Sequence, residues 1–224
     1  MKLSDIKDKL PERFYSVLCG SGIDELRPAQ DKAITAGLFD RKSLLVCTPT
    51  SSGKTLIAEF AMLKAILEGK GKAVYIVPLK ALASEKLKEF KRRYDSVIRI
   101  ALSVGDVDSS DSYLADYDLI IVTSEKLDSL IRHRAEWVRM ISVVVVDEIH
   151  LLNDPDRGPT LEVLITMLKE MLPKAQLVAL SATIGNPEEL ASWLGANLVL
   201  DSWRPVPLHR GIYHAGKIEF RKKE

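Results

Sequence analysis

Thr48-Pro49-Thr50-Ser51-Ser52-Gly53-Lys54-Thr55 lies between an apolar run, Leu44 to Cys47, and a helix-forming stretch that opens at Lys54. A hydroxyl-rich turn with a glycine, set between a strand and a helix, is suited to hold phosphate. Its successive N–H groups and the helix N-terminus form a cradle for anionic oxygens. In that setting Thr50, Ser51, Ser52 and Gly53 line the cradle. Lys54 brings a point charge to the β and γ phosphates of ATP, and Thr55 offers a hydroxyl to Mg²⁺. Gly53 lets the backbone approach where a Cβ would clash. The general pattern has a glycine six residues before the lysine, and here that position is Thr48. Taken alone, the stretch also reads as a turn that caps a helix.

Around this loop, short apolar runs alternate with helical ones. Strands are expected at Ser43 to Thr48, Ala73 to Val77, Val97 to Leu102, Leu119 to Val122, Val143 to Val146, Leu177 to Leu180 and Asn197 to Leu200. Most are continuous apolar runs, which implies burial on both faces. Alternation of such strands with helices predicts an α/β fold, a doubly wound and mostly parallel sheet with helices on both faces. Two further helices precede the first strand. One is capped by Ser4 and runs to about Leu18; the other starts at Pro28, a residue suited to the first helical position.

A second cluster is Val143-Val144-Val145-Val146-Asp147-Glu148-Ile149-His150. It sets two carboxylates at the C-terminal end of a buried strand, the edge where open α/β sheets bind ligands. Asp147 there would hold Mg²⁺, and Glu148 would orient and deprotonate the attacking water. His150 has either a structural or a coupling role. An acidic pair at a strand end can also be a solvated cap. Loop and pair together, in this chain order, form the constellation of a phosphate-loop ATPase.

Composition narrows the partners. The chain has 224 residues, 32 basic and 31 acidic, for a net charge of +1, so any nucleic-acid contact must be a local patch. Its 46% hydrophobic content supports a real core. The two cysteines, Cys19 and Cys47, have no metal-type spacing. No apolar run is long enough to span a bilayer. A soluble, cytoplasmic protein is expected, with no membrane partner.

With these residues in place, the chain resembles the superfamily 2 DExH-box helicases. Asp147-Glu148-Ile149-His150 corresponds to the box, and these helicases commonly lack the first loop glycine, which suits Thr48. Leu26-Arg27-Pro28-Ala29-Gln30 resembles the segment whose glutamine reads adenine, so Gln30 is implied as a base contact. Pro78-Leu79-Lys80-Ala81-Leu82, Gly105-Asp106 and Thr123-Ser124-Glu125-Lys126 resemble the nucleic-acid-contacting motifs. Lys80, Gly105, Asp106, Thr123 and Ser124 are thereby implied as strand contacts; helix capping is the alternative for each. Ser181-Ala182-Thr183 resembles the motif that couples hydrolysis to strand movement, with Ser181 and Thr183 reaching towards His150 or Asp147. Arg157 to Glu162, Ser181 to Trp193 and Arg204 to Leu208 fit the Ski-like branch, and within it the archaeal Hjm-type DNA helicases.

The resemblance implies a RecA-like domain over residues 26–200, preceded by a helical lead-in (1–25) and followed by a linker (201–224). It implies ATP and Mg²⁺ as ligands and DNA, single-stranded or forked, as partner. It also implies a second RecA-like domain, carrying arginine fingers, that completes the ATP site. This chain by itself is then expected to be a first motor domain that hydrolyses ATP poorly. An RNA-acting relative and a nucleotide-gated binding module stay open as alternatives. The basic run Lys91-Arg92-Arg93 reads as a helix end, and Trp137, Trp193 and Trp203 as packing residues.

Overall fold

The structure, a computed structural model, describes residues 1–105, 111–207, 211–214 and 216–220. Seven strands form one parallel sheet in the order β3-β4-β2-β5-β6-β1-β7. They are β1 (Leu44–Cys47), β2 (Lys72–Val77), β3 (Ile100–Ser103), β4 (Leu119–Thr123), β5 (Ile141–Val146), β6 (Gln176–Ser181) and β7 (Asn197–Leu200). Side chains alternate between the two faces along each strand. Leu44 and Val46 therefore join the core on one face, while Leu45 and Cys47 join the core on the other.

The first face is covered by α1 (Glu12–Gly20), α2 (Pro28–Thr35), α3 (Lys54–Leu67) and α4 (Lys80–Tyr94). The second is covered by α5 (Ser124–Arg132), α6 (Gly158–Met171) and α7 (Pro187–Leu194). This is the doubly wound architecture expected. A separate antiparallel pair, β8 (Gly211–His214) and β9 (Lys217–Phe220), follows the sheet and was not anticipated.

Three local readings need correction. The single helix expected from Ser4 to Leu18 is two pieces, a 3-10 helix over Leu3–Lys9 and then α1. Pro11 divides them, because the residue before a proline is driven out of the helical region, and Leu10 sits at ψ 144°. Strand β3 starts at Ile100 rather than Val97. Strand β7 is not buried throughout: Asn197 and Leu200 are exposed, because β7 is the sheet's edge and neighbours β1 alone. The N-terminal segment packs into the main core, with Phe14 against Phe60 of α3 and Tyr94 of α4 at ring-centroid distances of 5.8 and 5.9 Å.

Helices α3 and α4 are joined by a buried ionic contact. Glu59 is fully buried and accepts from Arg93 Nη1 at 2.7 and 2.5 Å and from the Tyr94 hydroxyl at 2.7 Å. Burial pushes the Glu59 carboxyl up, and Arg93 and the Tyr94 hydroxyl oppose that shift. The basic end of α4 thus does more than face the helix dipole. Arg93→Ala, which strands a buried carboxylate, should cost about 3 kcal/mol of unfolding free energy, read by urea denaturation. Glu59→Gln should cost less, since the Arg93 side chain is partly exposed and can turn to water.

Candidate functional site

All seven strands point their carboxyl ends to one edge, and the loops at that edge build the site. Read in spatial order, the edge carries Gly105 after β3, Thr123 at the end of β4, Lys80 after β2, Asp147 after β5, Ser181 at the end of β6 and Thr48 after β1. Residues assigned to nucleotide thus follow β5 and β1, with the coupling residue Ser181 on β6 between them. Those assigned to a strand cluster on β3, β4 and β2. Asp106 lies outside the described residues.

The phosphate loop is wound by its own side chains. The Thr48 hydroxyl is 2.7 Å from that of Ser52, and both residues are buried. The backbone at Thr48 is not in the left-handed region; the positive φ values in the loop belong to Ser51 (64°) and Gly53 (93°). A glycine is therefore not demanded at position 48, and the threonine braces the loop instead. Lys54, 9% exposed, donates to the carbonyls of Thr48 at 2.9 Å and Pro49 at 3.5 Å. Burial lowers its pKa, while the carboxylates of Glu148 and Asp147 pull it back up.

Gly53 is needed for a reason other than phosphate approach. A Cβ there would lie 2.5 Å from Gln30 Nε2 and 3.0 Å from Arg27 Cδ, at a backbone angle that side chains rarely adopt. Gln30 Nε2 donates to the Gly53 carbonyl at 3.0 Å, and its Oε1 accepts from the Arg27 N–H at 2.8 Å. Each end of the amide keeps one further bonding position, because an amide offers two donors and two lone pairs. Arg27 Nη1 also donates to the Ser51 carbonyl at 2.7 Å, and its guanidinium lies 5.6 Å from the ring centre of Trp203. Trp203 is exposed, unlike buried Trp137, so its reading as a packing residue holds only in that it rests on Arg27.

The acidic pair is held from two sides. Tyr75 Oη donates to Asp147 Oδ2 at 2.7 Å, and the Glu148 N–H donates to Asp147 Oδ1 at 3.0 Å. Burial and the Asp147 carboxylate push the Tyr75 phenol well above its usual pKa, so it stays a donor. Glu148 has φ 53°, a sparsely populated backbone state for a side-chain-bearing residue. His150 Nδ1 lies 3.3 Å from Glu148 Oε2 without hydrogen-bond alignment.

Gln30, Thr50, Ser51, Gly53, Lys54, Thr55, Asp147 and Glu148 all line one cleft of about 1130 Å³. It slightly exceeds the ~300–1,000 Å³ usual for small-molecule sites. Of the residues expected to line the cradle, from Thr50 to Thr55, Ser52 is the exception, being buried against Thr48. Lys86 of α4 reaches in and donates to Thr55 Oγ1 at 3.2 Å. Thr55 hydroxyl and Asp147 carboxylate are hard oxygen donors in one cleft, a set that fits magnesium.

The coupling residues are not joined in this state. Ser181 is buried, and no hydrogen bond joins its hydroxyl to His150 or Asp147. Thr183 is exposed and lines a separate crevice beside Leu200 and Asp201. Thr123 and Ser124 are both buried, and the Thr123 hydroxyl accepts from the Lys126 N–H at 3.4 Å as a helix cap. Ser124 lines a small crevice together with Asp147 and Glu148. Lys80 is exposed at the start of α4.

Sequence reasoning missed Arg27, Tyr75 and Lys86. Arg27 was quoted only as a neighbour of Gln30. Tyr75 sits inside an apolar strand and reads as core. Lys86 lies in a charged helix where no periodicity marks it.

A parallel sheet with a phosphate loop after β1 and an acidic pair after β5 defines a RecA-like nucleotide-binding domain. The sequence profile of the DEAD/DEAH box helicases matches residues 27–190, and the chain belongs to that family. It is 51% identical over 216 residues to the ATP-dependent DNA helicase Hel308 of Pyrococcus horikoshii, covering 96% of this chain and 30% of that protein. With the Hel308 of Methanocaldococcus jannaschii it shares 54% identity over 216 residues, 93% of this chain and 18% of that one. The chain therefore spans less than a third of the length of these relatives. Among solved structures, the DUF1998 helicase MrfA bound to DNA superposes with a TM-score of 0.76 at 29% identity, over 87% of this chain and 30% of that one.

The Gly53 contact gives a test. Gly53→Ala should lower stability by about 1–3 kcal/mol, through strain at positive φ and the clash with Gln30. Adding Gln30→Ala should recover the steric part and leave the backbone part, as read from thermal unfolding of the single and double variants.

Proposed function

We propose that this chain is the ATP-binding motor domain of an ATP-dependent DNA helicase, working in DNA repair or in the processing of forks and recombination intermediates. The observation that carries this is the single cleft lined by Lys54, Thr55, Asp147 and Glu148, with Lys80 and Gly105 further along the same sheet edge. The relatives' printed names support DNA as the nucleic acid and ATP as the fuel. A cytoplasmic protein is part of this reading. Among the described residues no helix is long and apolar enough to cross a membrane.

Each residue has a role in that reading. The Lys54 ammonium leaves the Thr48 and Pro49 carbonyls for the β and γ phosphate oxygens, so that its charge faces anions rather than neutral acceptors. The backbone of Thr50 to Gly53 and the start of α3 present N–H groups to the same phosphates. Gln30 reads the adenine edge with its remaining donor and acceptor. Thr55 and Asp147 would hold magnesium, which when bound neutralises phosphate charge. Glu148 orients the attacking water and takes its proton. Ser181, Thr183 and His150 transmit the state of the site to the linker and the bound strand. Lys80, Gly105, Asp106, Thr123 and Ser124 form the path for one strand through backbone amides and exposed side chains. A second RecA-like domain supplies the arginines that complete the ATP site; such arginines are worth ~10³–10⁵ in turnover in related enzymes.

Two measurements test this. By calorimetry, Lys54→Ala should weaken ATP binding by at least about tenfold, since it removes a charge-assisted contact of roughly 1.5–3 kcal/mol; unchanged affinity would sink the reading. Glu148→Gln should bind ATP as the parent does. The chain by itself should show little strand-stimulated ATP hydrolysis. A protein that carries both motor domains should hydrolyse ATP and unwind a DNA duplex in preference to a matched RNA duplex.

A further inference from the structure

Strands β2 and β5 pair in parallel, with Tyr75 opposite Val145 and Ile76 opposite Val146. Tyr75 and Val145 face the same side of the sheet. By alternation, the residue two beyond Val145 on that side is Asp147. A tyrosine at position 75 is long enough to cover that step of two residues, ~3.3 Å each, and its hydroxyl meets the carboxylate at 2.7 Å. Phenylalanine would fill the same space and leave Asp147 Oδ2 without this donor.

The ring is held so that the hydroxyl has one place to go. Tyr75 is fully buried and packs edge-on against Phe90 of α4, with centroids 5.3 Å apart. The other carboxylate oxygen is fixed by the Glu148 N–H at 3.0 Å. Both oxygens are thus oriented from the protein side. A carboxylate has about four lone-pair positions. Each oxygen therefore keeps one for another partner.

We propose that Tyr75 is a positioning residue for the metal of this site: its buried hydroxyl fixes the rotation of the Asp147 carboxylate. The proposal rests on the reading of Asp147 as a magnesium ligand. Partners of this kind orient a ligand's lone pairs before the ion arrives, and their loss typically weakens metal affinity by ~10–100-fold. A purely structural account is the competitor. On that account Asp147 merely satisfies a buried phenol, and the bond has no consequence for metal.

The experiment is calorimetry of ADP binding to this chain across a series of Mg²⁺ concentrations. The parent chain should bind ADP more tightly as Mg²⁺ rises, with a defined midpoint. Tyr75→Phe should move that midpoint up by about tenfold while leaving ADP affinity in EDTA unchanged. Phe90→Leu loosens the ring but keeps the hydroxyl; it should lower the Tm and leave the midpoint in place. An unmoved midpoint in Tyr75→Phe overturns the proposal. So does an equal shift in Phe90→Leu, which would trace the effect to packing. If the parent chain binds ADP with no dependence on Mg²⁺, the assignment of Asp147 itself fails, and that outcome is separate from the other two.

Discussion

Parallel pairing of all seven strands is the constraint on which the site depends. It brings every strand's carboxyl end to one edge, so each strand-to-helix turn can add a functional group there. The strand order then sorts them. Strand β1 sits between β6 and β7, and β5 sits between β2 and β6. Phosphate loop, acidic pair and Ser181 become neighbours, although more than a hundred residues of sequence separate the first from the last. The Thr48 N–H bonded to the Ser181 carbonyl at 3.2 Å is the direct expression of that adjacency.

The cleft is organised by contacts the protein makes with itself. Lys54 bonds loop carbonyls, Gln30 and Arg27 bond the loop backbone, and Lys86 bonds the Thr55 hydroxyl. On the proposed function, nucleotide binding would exchange some of these protein contacts for phosphate contacts. Burial disfavours the charge of Lys54, and the carboxylates of Glu148 and Asp147 restore part of it. One of these side chains, Arg27, also ties the cleft to a residue beyond β7. Arg27, the residue before α2, touches both the loop and Trp203, and Lys32 within α2 pairs with Asp201 at 2.8 Å.

Thr48 shows how a departure from a pattern is read differently in one and three dimensions. In sequence it marks the helicase superfamily through resemblance. In the structure its hydroxyl braces Ser52, and its backbone needs no glycine. Gly53 shows the reverse. Its presence was legible, but its reason was not, because the positive φ is set by the folded loop and the side chain that crowds a Cβ, Gln30, belongs to α2. The limits of β7 were likewise legible. Its half-exposed character was not, since being an edge strand is a property of sheet order.

The sequence by itself determined the architecture, the phosphate loop and the acidic pair. These follow from local signals: apolar runs doubly buried, turns rich in hydroxyls and glycine, carboxylates at a strand end. Tertiary structure alone decided the spatial order of the strands, and with it the separation of the motifs assigned to nucleotide from those assigned to a nucleic-acid strand. It also decided the partners of Asp147, Ser51 and Thr55. Tyr75, Arg27 and Lys86 reach them across gaps in sequence of 72, 24 and 31 residues for the pairs Tyr75–Asp147, Arg27–Ser51 and Lys86–Thr55. No periodicity records such pairs, because they depend on strand register and helix packing rather than on the residues beside them.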